Sequence, residues 1–203
     1  MIDEALFKPK TLYPFQKETV DKIIEELKVN GNNFNLLFQL PTGGGKTVIF
    51  SEIAKEYIEK WEKKVLILTH RIELSVQTSK QLSAIGVANK VINSDVKTLE
   101  DQEDYNCFIA MVETLNNRLQ DDENFIKDVG LVIVDEAHYN SFRKIFQYYK
   151  EANILGVTAT PLSSNKTLPL NDHYDKLQVG ESIASLIEKG YLANAETFTY
   201  DVN

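Results

Sequence analysis

Short, uninterrupted apolar runs alternate along this chain with segments whose apolar residues have helical spacing. Strands are predicted at residues 36–40, 65–69, 90–93, 107–112, 131–134 and 153–158. Helices are predicted at residues 14–30, 49–58, 72–82 and 142–149, and in the segment that ends at residue 119. Because the strand runs are apolar throughout, both faces of the sheet should be buried. The pattern predicts an α/β fold with a parallel, doubly wound sheet that binds ligands at the carboxyl ends of its strands.

A glycine-rich loop, Gln-Leu-Pro-Thr-Gly-Gly-Gly-Lys-Thr at residues 39–47, joins the first predicted strand to the following helix. Consecutive glycines let backbone N–H groups surround an anion, and the helix N-terminus adds partial positive charge. We interpret this segment as a P-loop, although Leu40 stands where the full pattern has glycine; a flexible glycine turn is the alternative. Lys46 would reach the β- and γ-phosphates, and the Thr47 hydroxyl would bind Mg²⁺. The candidate ATP-binding residues here are Thr42, Gly43, Gly44, Gly45, Lys46 and Thr47.

Two adjacent carboxylates, Asp135 and Glu136, follow the apolar run 131–134. They should therefore emerge at the same edge of the sheet as the P-loop. Asp135 is suited to hold Mg²⁺ and Glu136 to orient and deprotonate an attacking water, which would make Lys46, Asp135 and Glu136 the catalytic set. A helix N-cap with a solvated neighbour is the alternative. His138 would relay the state of the γ-phosphate to a neighbouring segment, or is a surface histidine.

Further motifs flank these two. They are Leu-Tyr-Pro-Phe-Gln at 12–16, Thr-His-Arg-Ile-Glu-Leu at 69–74, Met-Val-Glu-Thr-Leu at 111–115 and Thr-Ala-Thr at 158–160. With the Asp-Glu-Ala-His of 135–138, the chain resembles the first RecA-like domain of superfamily-two DEAH-motif helicases and translocases, in the subgroup of DNA repair and restriction. The resemblance covers residue 12 to about residue 198. It implies a RecA-like P-loop NTPase fold of three layers with a mostly parallel central sheet, and ATP and Mg²⁺ as cofactors.

The same resemblance implies roles for residues outside the P-loop. Gln16 would read the adenine edge, with Tyr13 and Phe15 beside the base. Tyr13 stands where the family has arginine, so ring stacking would replace a cation–π contact; the alternative is that both aromatics belong to the core. Arg71 and Thr114 would contact the nucleic-acid backbone, with a helix N-cap as the alternative for Thr114.

The threonines Thr158 and Thr160 match the short element that, in the family, couples the hydrolysis site to the nucleic-acid track. Together with His138 they are the expected coupling residues. Helix capping is the alternative for both threonines.

The resemblance also predicts a missing component. The family hydrolyses ATP between two RecA-like domains, and the second supplies arginines in a Gln-x-x-Gly-Arg-x-x-Arg motif. That motif does not occur here, and the arginines of the chain are Arg71, Arg118 and Arg143. We therefore expect residues 1–203 to be a single first motor domain whose second RecA-like domain comes from a longer protein or a partner chain. Hydrolysis by the isolated domain should be weak or absent.

Composition limits the compartment and the partners. A length of 203 residues with 43% hydrophobic content suits one globular domain. The net charge of −8 argues against a broad basic face, so nucleic acid would be bound through local contacts, and the acidic segment 95–105 should be a solvated loop or irregular turn. A single cysteine, Cys107, and the lack of a membrane-length apolar run or signal peptide favour a cytoplasmic protein without a membrane partner.

These features together predict the ATP-binding motor domain of a nucleic-acid-dependent ATPase, a DNA helicase or duplex translocase. DNA is favoured over RNA because DEAD-box RNA helicases carry aspartate at the position of His138. The alternatives are an ATP-dependent RNA helicase and a nucleotide-switched interaction module for a nuclease or methyltransferase partner. Glu136 argues against a module that only binds nucleotide.

Overall fold

The structure is a computed structural model that describes residues 11–161 and 170–194. Within them the strands are β1 (Asn35–Gln39), β2 (Lys64–Thr69), β3 (Asn89–Ile92), β4 (Cys107–Met111), β5 (Val129–Asp135), β6 (Asn153–Thr158) and β7 (Lys176–Val179). They form one sheet in the order β3-β4-β2-β5-β6-β1-β7, and every neighbouring pair is parallel. The predicted parallel sheet is confirmed, and the carboxyl ends of its strands meet at one edge.

The helices of the same residues are α1 (Pro14–Asn30), α2 (Lys46–Trp61), α3 (Ile72–Ala84), α4 (Val112–Asp121), α5 (Arg143–Phe146) and α6 (Ile183–Glu188). Short 3₁₀ turns occur at Gln102–Asp104, Asn140–Phe142 and Leu170–Asp172. The helices α2, α3 and α4 begin within a few residues of the strand before them. Their N-termini therefore lie at the same edge as the carboxyl ends of the strands.

Helices cover both faces of the sheet, because successive residues of a strand point to opposite sides. In β2, Val65 and Ile67 join the apolar cluster that contains the buried residues of α1 and α2. Leu66 and Leu68 join a second cluster, to which the buried residues of α4 and α5 belong. The sheet is thus the middle of three layers, which explains why its strands are apolar without alternation.

Three elements differ from the prediction, and one of them is helix α6 (Ile183–Glu188), which was not predicted. The helix predicted at 142–149 is reduced to the single turn α5, because the chain continues in i→i+3 turns: Tyr148 N donates to Ile145 O and Tyr149 N to Phe146 O, both at 3.1 Å. Such turns give nearly the same apolar spacing as a helix. The edge strand β7 was not predicted, because three of its four residues are exposed and no apolar run marks it.

The cysteine and the acidic segment of the sequence analysis both lie within the described residues. Cys107 is buried in β4, and burial raises the pKa of its thiol. The acidic segment 95–105 is irregular apart from its 3₁₀ turn, with Lys90 paired to Asp101. No helix in residues 11–161 and 170–194 is both long and apolar enough to cross a bilayer.

Candidate nucleotide site

The loop between β1 and α2 has a shape that requires its glycines. Gly43 and Gly45 have φ angles of +86° and +85°, which side chains with a Cβ rarely adopt. A Cβ on Gly44 would lie 2.7 Å from Leu40 Cγ, and one on Gly45 would lie 2.3 Å from Gln16 Nε2. Leu40, the departure from the full motif, is therefore the side chain that packs beneath the loop. The loop is therefore packed closely against Leu40 and Gln16.

Helix α2 begins directly at the end of this loop. Gly45 is its N-cap residue, and Lys46 and Thr47 are its first two residues. Unpaired N–H groups and the helix dipole make this position favourable for an anion. Lys46 places a basic side chain at this position, and that side chain is only 11% exposed.

The acidic pair lies opposite Lys46. Asp135 ends β5 and Glu136 follows it, with Glu136 Oε1 3.7 Å from Lys46 Nζ. Glu136 has a φ of +56°, a left-handed conformation that costs a non-glycine residue about 1 kcal/mol. Strain of this kind occurs at active sites and also in turns and at helix ends, as at Asn33, Glu62 and Asp128 of this chain.

The segment after the pair is a turn and not a helix. Ala137 N donates to Val157 O at 3.0 Å, and Tyr139 N donates to Glu136 O at 3.1 Å. The next α-helix, α5, begins only at Arg143. The alternative that Asp135 and Glu136 cap a helix is therefore wrong.

Asp135 is a buried carboxyl with an unusual pKa. It is 6% exposed, and burial, then the neighbouring Glu136 charge, raise its pKa to about 6 against the opposing effect of Lys46. The unfolded chain titrates this group near a pKa of about 3.9. The folded chain therefore binds the proton more tightly, and stability falls as the pH rises from about 4 to about 6 and stays reduced above it.

Asp135→Asn should consequently stabilise the chain in the absence of metal and nucleotide. At about pH 8 we expect the free energy of unfolding to rise by about 2 kcal/mol, because the amide does not carry the buried charge. At about pH 4 the two proteins should differ little. Urea unfolding of both at the two pH values measures this, and a gain of equal size at both would contradict the raised pKa.

His138 connects the acidic segment to the end of β6. His138 Nδ1 lies 3.0 Å from Thr158 Oγ1 and 3.4 Å from Glu136 Oε2. The Thr158 hydroxyl donates to Thr160 O at 2.8 Å and accepts from Thr160 N at 3.1 Å. Since a hydroxyl has one proton, this assigns Nδ1 of His138 as the donor to Thr158. Thr158 thus joins its own turn to His138, and within residues 11–161 and 170–194 its hydroxyl caps no helix.

A stack of three rings, which the sequence analysis did not predict, lies beside this contact. Tyr139 packs against His138 with ring centroids 4.3 Å apart and against His70 with centroids 4.6 Å apart. Burial, then the Arg71 charge, lower the pKa of His70, while Glu136 opposes this. We call His70, Tyr139 and His138 the ring stack. It links the residue before Arg71 to the acidic segment.

The segment predicted to bind adenine reaches the P-loop. Gln16 Oε1 accepts from Tyr13 N at 2.9 Å, and Gln16 Nε2 donates to Gly44 O at 3.1 Å. Phe15 is 7% exposed and belongs to the core, which was the alternative given for both aromatic residues. Tyr13 is 51% exposed. A buried glutamine tied to the loop and a ring open to solvent are thus side by side. Their role in adenine binding stays a prediction.

The two predicted nucleic-acid contacts follow the neighbouring strands β2 and β4, away from the P-loop strand β1. Arg71 is the exposed N-cap residue of α3, directly after β2. Thr114 is in the first turn of α4, whose N-cap is Met111, so the N-cap alternative is wrong. In the sheet, β2 pairs with β4 and lies on the far side of β5 from β1. The two residues therefore lie at the same edge as the nucleotide site, beside it.

Comparisons with known proteins agree with this arrangement. A family model described as type III restriction enzyme, res subunit, matches residues 9–163. The putative ATP-dependent helicase IRC3 of Saccharomyces cerevisiae is 30% identical over 210 residues, covering 96% of this chain and 30% of the yeast protein. The type I restriction enzyme EcoAI endonuclease subunit of Escherichia coli is 27% identical over 202 residues, covering 93% of this chain and 24% of the Escherichia coli protein.

The fold is also found in solved structures. The ATP-dependent type ISP restriction-modification enzyme LlaBIII, in a structure bound to DNA, matches with a TM-score of 0.68 at 17% identity, over 93% of this chain and 17% of that enzyme. The chain spans about a third or less of the length of the curated relatives named above. Because the family model covers more than half of its residues, the chain belongs to the family of type III restriction enzyme res subunits and is a first RecA-like domain of the superfamily-two helicases.

Proposed function

We propose that this chain is the ATP-binding domain of a motor that acts on DNA, and that Mg-ATP binds between the P-loop and the acidic pair. One observation carries the proposal: Lys46 Nζ and Glu136 Oε1 are 3.7 Å apart, although they come from different elements. The cation that would bind phosphate and the base that would activate water thus meet at one point. That point lies at the N-terminus of α2, where an anion is favoured.

The residues present suit Mg²⁺. It prefers oxygen ligands, which the Thr47 hydroxyl and the Asp135 carboxylate would supply. A nearby cation stabilises the ionised form of a carboxyl. Bound Mg²⁺ would therefore oppose the burial that raises the pKa of Asp135. When bound, Mg²⁺ would neutralise charge on the β- and γ-phosphates.

Hydrolysis would use the protein side chains in a fixed order. Lys46 and the loop N–H groups hold the β- and γ-phosphates, so that the γ-phosphorus faces Glu136. Glu136 accepts a proton from the water whose oxygen attacks that phosphorus, and ADP departs with the electron pair of the broken bond. This order requires that Lys46 exchanges its contact with Glu136 for one with phosphate when ATP binds, before the proton transfer, so that the carboxylate is available as the base.

His138 would carry the result to the nucleic-acid side. It contacts Glu136 and Thr158 at once, and through the ring stack it reaches His70, the neighbour of Arg71. A change in the charge near Glu136 would therefore alter contacts that continue to Arg71. This is the route by which we infer that ATP turnover and nucleic-acid binding are coupled.

DNA is the proposed nucleic acid. Two of the similar proteins are named restriction enzymes, and the structure of LlaBIII is of a complex with DNA. Arg71 is exposed at the edge that also carries the nucleotide site, and it would bind phosphate. The net charge of −8 means that attraction to DNA must come from such local contacts.

Arg71→Gln should weaken DNA binding by about threefold to tenfold and reduce the slope of log affinity against log salt by about one. Lys80→Gln, which removes the same charge from an exposed position on α3, is the matched control and should have little effect. Fluorescence anisotropy with labelled single-stranded DNA, duplex DNA and RNA, each with a non-hydrolysable ATP analogue, measures this. Tightest binding of RNA would contradict DNA as the partner, and equal effects of the two variants would contradict the role of Arg71.

A second RecA-like domain, from the same protein or a partner chain, would complete the motor. Arg118 is not suited to this role, because its Nε and Nη2 donate to Val96 O at 2.8 Å and Ser94 O at 3.0 Å. Arg71 lies on the proposed nucleic-acid side, and Arg143 begins α5, where its charge acts on His173 and Tyr174. The arginines that stabilise the transferred phosphoryl group would therefore come from the second domain. The cytoplasm is the proposed location.

A further inference from the structure

The last described turn of the chain lies against the nucleotide loop. After α6, Gly190 has a φ of +74°, and the N–H groups of Tyr191 and Leu192 both donate to Leu186 O, at 2.8 and 3.0 Å. A glycine in the left-handed region with such bonds is a common way to end a helix. The backbone of Tyr191 and Leu192 is therefore held by α6, and both side chains pack against the first apolar cluster.

The Tyr191 ring holds the exposed aromatic residue of the predicted adenine segment. Its centroid is 4.7 Å from that of Tyr13 and 4.9 Å from that of Phe15. Tyr13 and Phe15 are themselves 6.2 Å apart and nearly parallel, at 12°. Contact with Tyr191 leaves Tyr13 half exposed, so one part of its surface stays open for an aromatic base.

Leu192 packs against the P-loop itself. A Cβ on Gly43 would lie 2.8 Å from Leu192 Cδ2, so this methyl group occupies the space beside the first glycine of the loop. Gly43 is also one of the two loop residues with positive φ. The adjacent residues Tyr191 and Leu192 thus contact the two parts of the predicted nucleotide site separately, one at the base end and one at the phosphate end.

We propose that Tyr191 and Leu192 are positioning residues of the nucleotide site: Tyr191 sets the Tyr13 ring for stacking on adenine, and Leu192 holds the P-loop for the triphosphate. This rests on the proposed function, because it requires that ATP binds here. The fold brings them to the site, since α6 follows β7, the strand next to β1.

Separate ligands test the two contacts. Mg-ATP uses both ends of the site, whereas Mg-tripolyphosphate has no base and uses the phosphate end alone. Tyr191→Leu keeps an apolar side chain but removes the ring, and should weaken Mg-ATP by about fivefold or more while leaving tripolyphosphate binding unchanged. Tyr191→Phe should bind both ligands as the parent does. Leu192→Ala should weaken both ligands to a similar degree.

Calorimetric titration of these variants gives the dissociation constants. Tyr148→Leu, a partly buried tyrosine of the second apolar cluster, is the matched control for packing and should leave both constants unchanged. The proposal is overturned if Tyr191→Leu binds Mg-ATP like the parent, or weakens Mg-ATP and tripolyphosphate equally. If the parent chain binds Mg-ATP no more tightly than Mg-tripolyphosphate, the base contributes nothing to binding. That result also overturns the role of Tyr191. A parent that binds neither ligand refutes the proposed function instead.

Discussion

Lys46→Ala should weaken Mg-ATP binding by about a hundredfold or more. The ammonium group is expected to make charge-assisted hydrogen bonds with the β- and γ-phosphates, and bonds of this kind are worth about 1.5–3 kcal/mol each. The side chain is largely buried beside the loop, so solvent would not replace it easily. Calorimetric titration with Mg-ATP compares the dissociation constants.

The matched control for this variant lies on the same helix. Lys60→Ala removes an exposed lysine from the last turn of α2, where it pairs with Glu56 at 2.8 Å. It should leave Mg-ATP binding unchanged. If Lys46→Ala bound Mg-ATP as tightly as the parent, the P-loop interpretation would be wrong.

Glu136→Gln should abolish turnover while preserving nucleotide binding. Loss of a general base lowers the rate by about a hundredfold to ten-thousandfold. The amide has the shape of the carboxylate and keeps the left-handed backbone of this residue. Without its charge the contact with Lys46 weakens, so Mg-ATP should bind at least as tightly as in the parent. Phosphate release in single-turnover experiments, beside a binding titration, measures both effects.

Glu113→Gln is the control for loss of one negative charge. Glu113 is exposed on α4 and pairs with Lys144 at 2.7 Å, away from the P-loop strand β1. The Glu113→Gln protein should hydrolyse ATP at the parental rate. A Glu136→Gln protein with parental turnover would exclude Glu136 as the base, and one that failed to bind Mg-ATP would assign it to binding.

The central strands could be predicted because a strand that is buried on both faces of the sheet is an uninterrupted apolar run in the sequence. Leu66 and Leu68 fill one side and Val65 and Ile67 the other, so no polar residue interrupts the run. The edge strand β7 has no such apolar run, since it is mostly exposed, including Leu177 and Val179. Consecutive turns after Phe142 reproduce helical spacing, and only their hydrogen bonds distinguish them from a helix.

The loop proposed to bind phosphate could be located from local sequence, because its candidate residues, such as Lys46 and Thr47, are adjacent in the chain. The remaining contacts depend on distant parts of the chain. Tyr139 reaches His70, and Leu192 reaches Gly43, and no spacing rule links residues so far apart. The left-handed backbone of Glu136 was also not predictable, since it follows from the turn that β5 and β6 impose.

Steady-state ATP hydrolysis by the 203-residue chain tests the central claim most directly. Hydrolysis should be measured for the chain alone and with single-stranded DNA, duplex DNA or RNA. The Glu136→Gln protein is measured under the same conditions, and Mg-ATP binding of both proteins is followed in parallel. The account predicts that both proteins bind Mg-ATP and that the parent hydrolyses it weakly or not at all, because the arginines of a second RecA-like domain are needed for efficient turnover. A parent that binds no Mg-ATP, or hydrolysis that persists unchanged in Glu136→Gln, would contradict it.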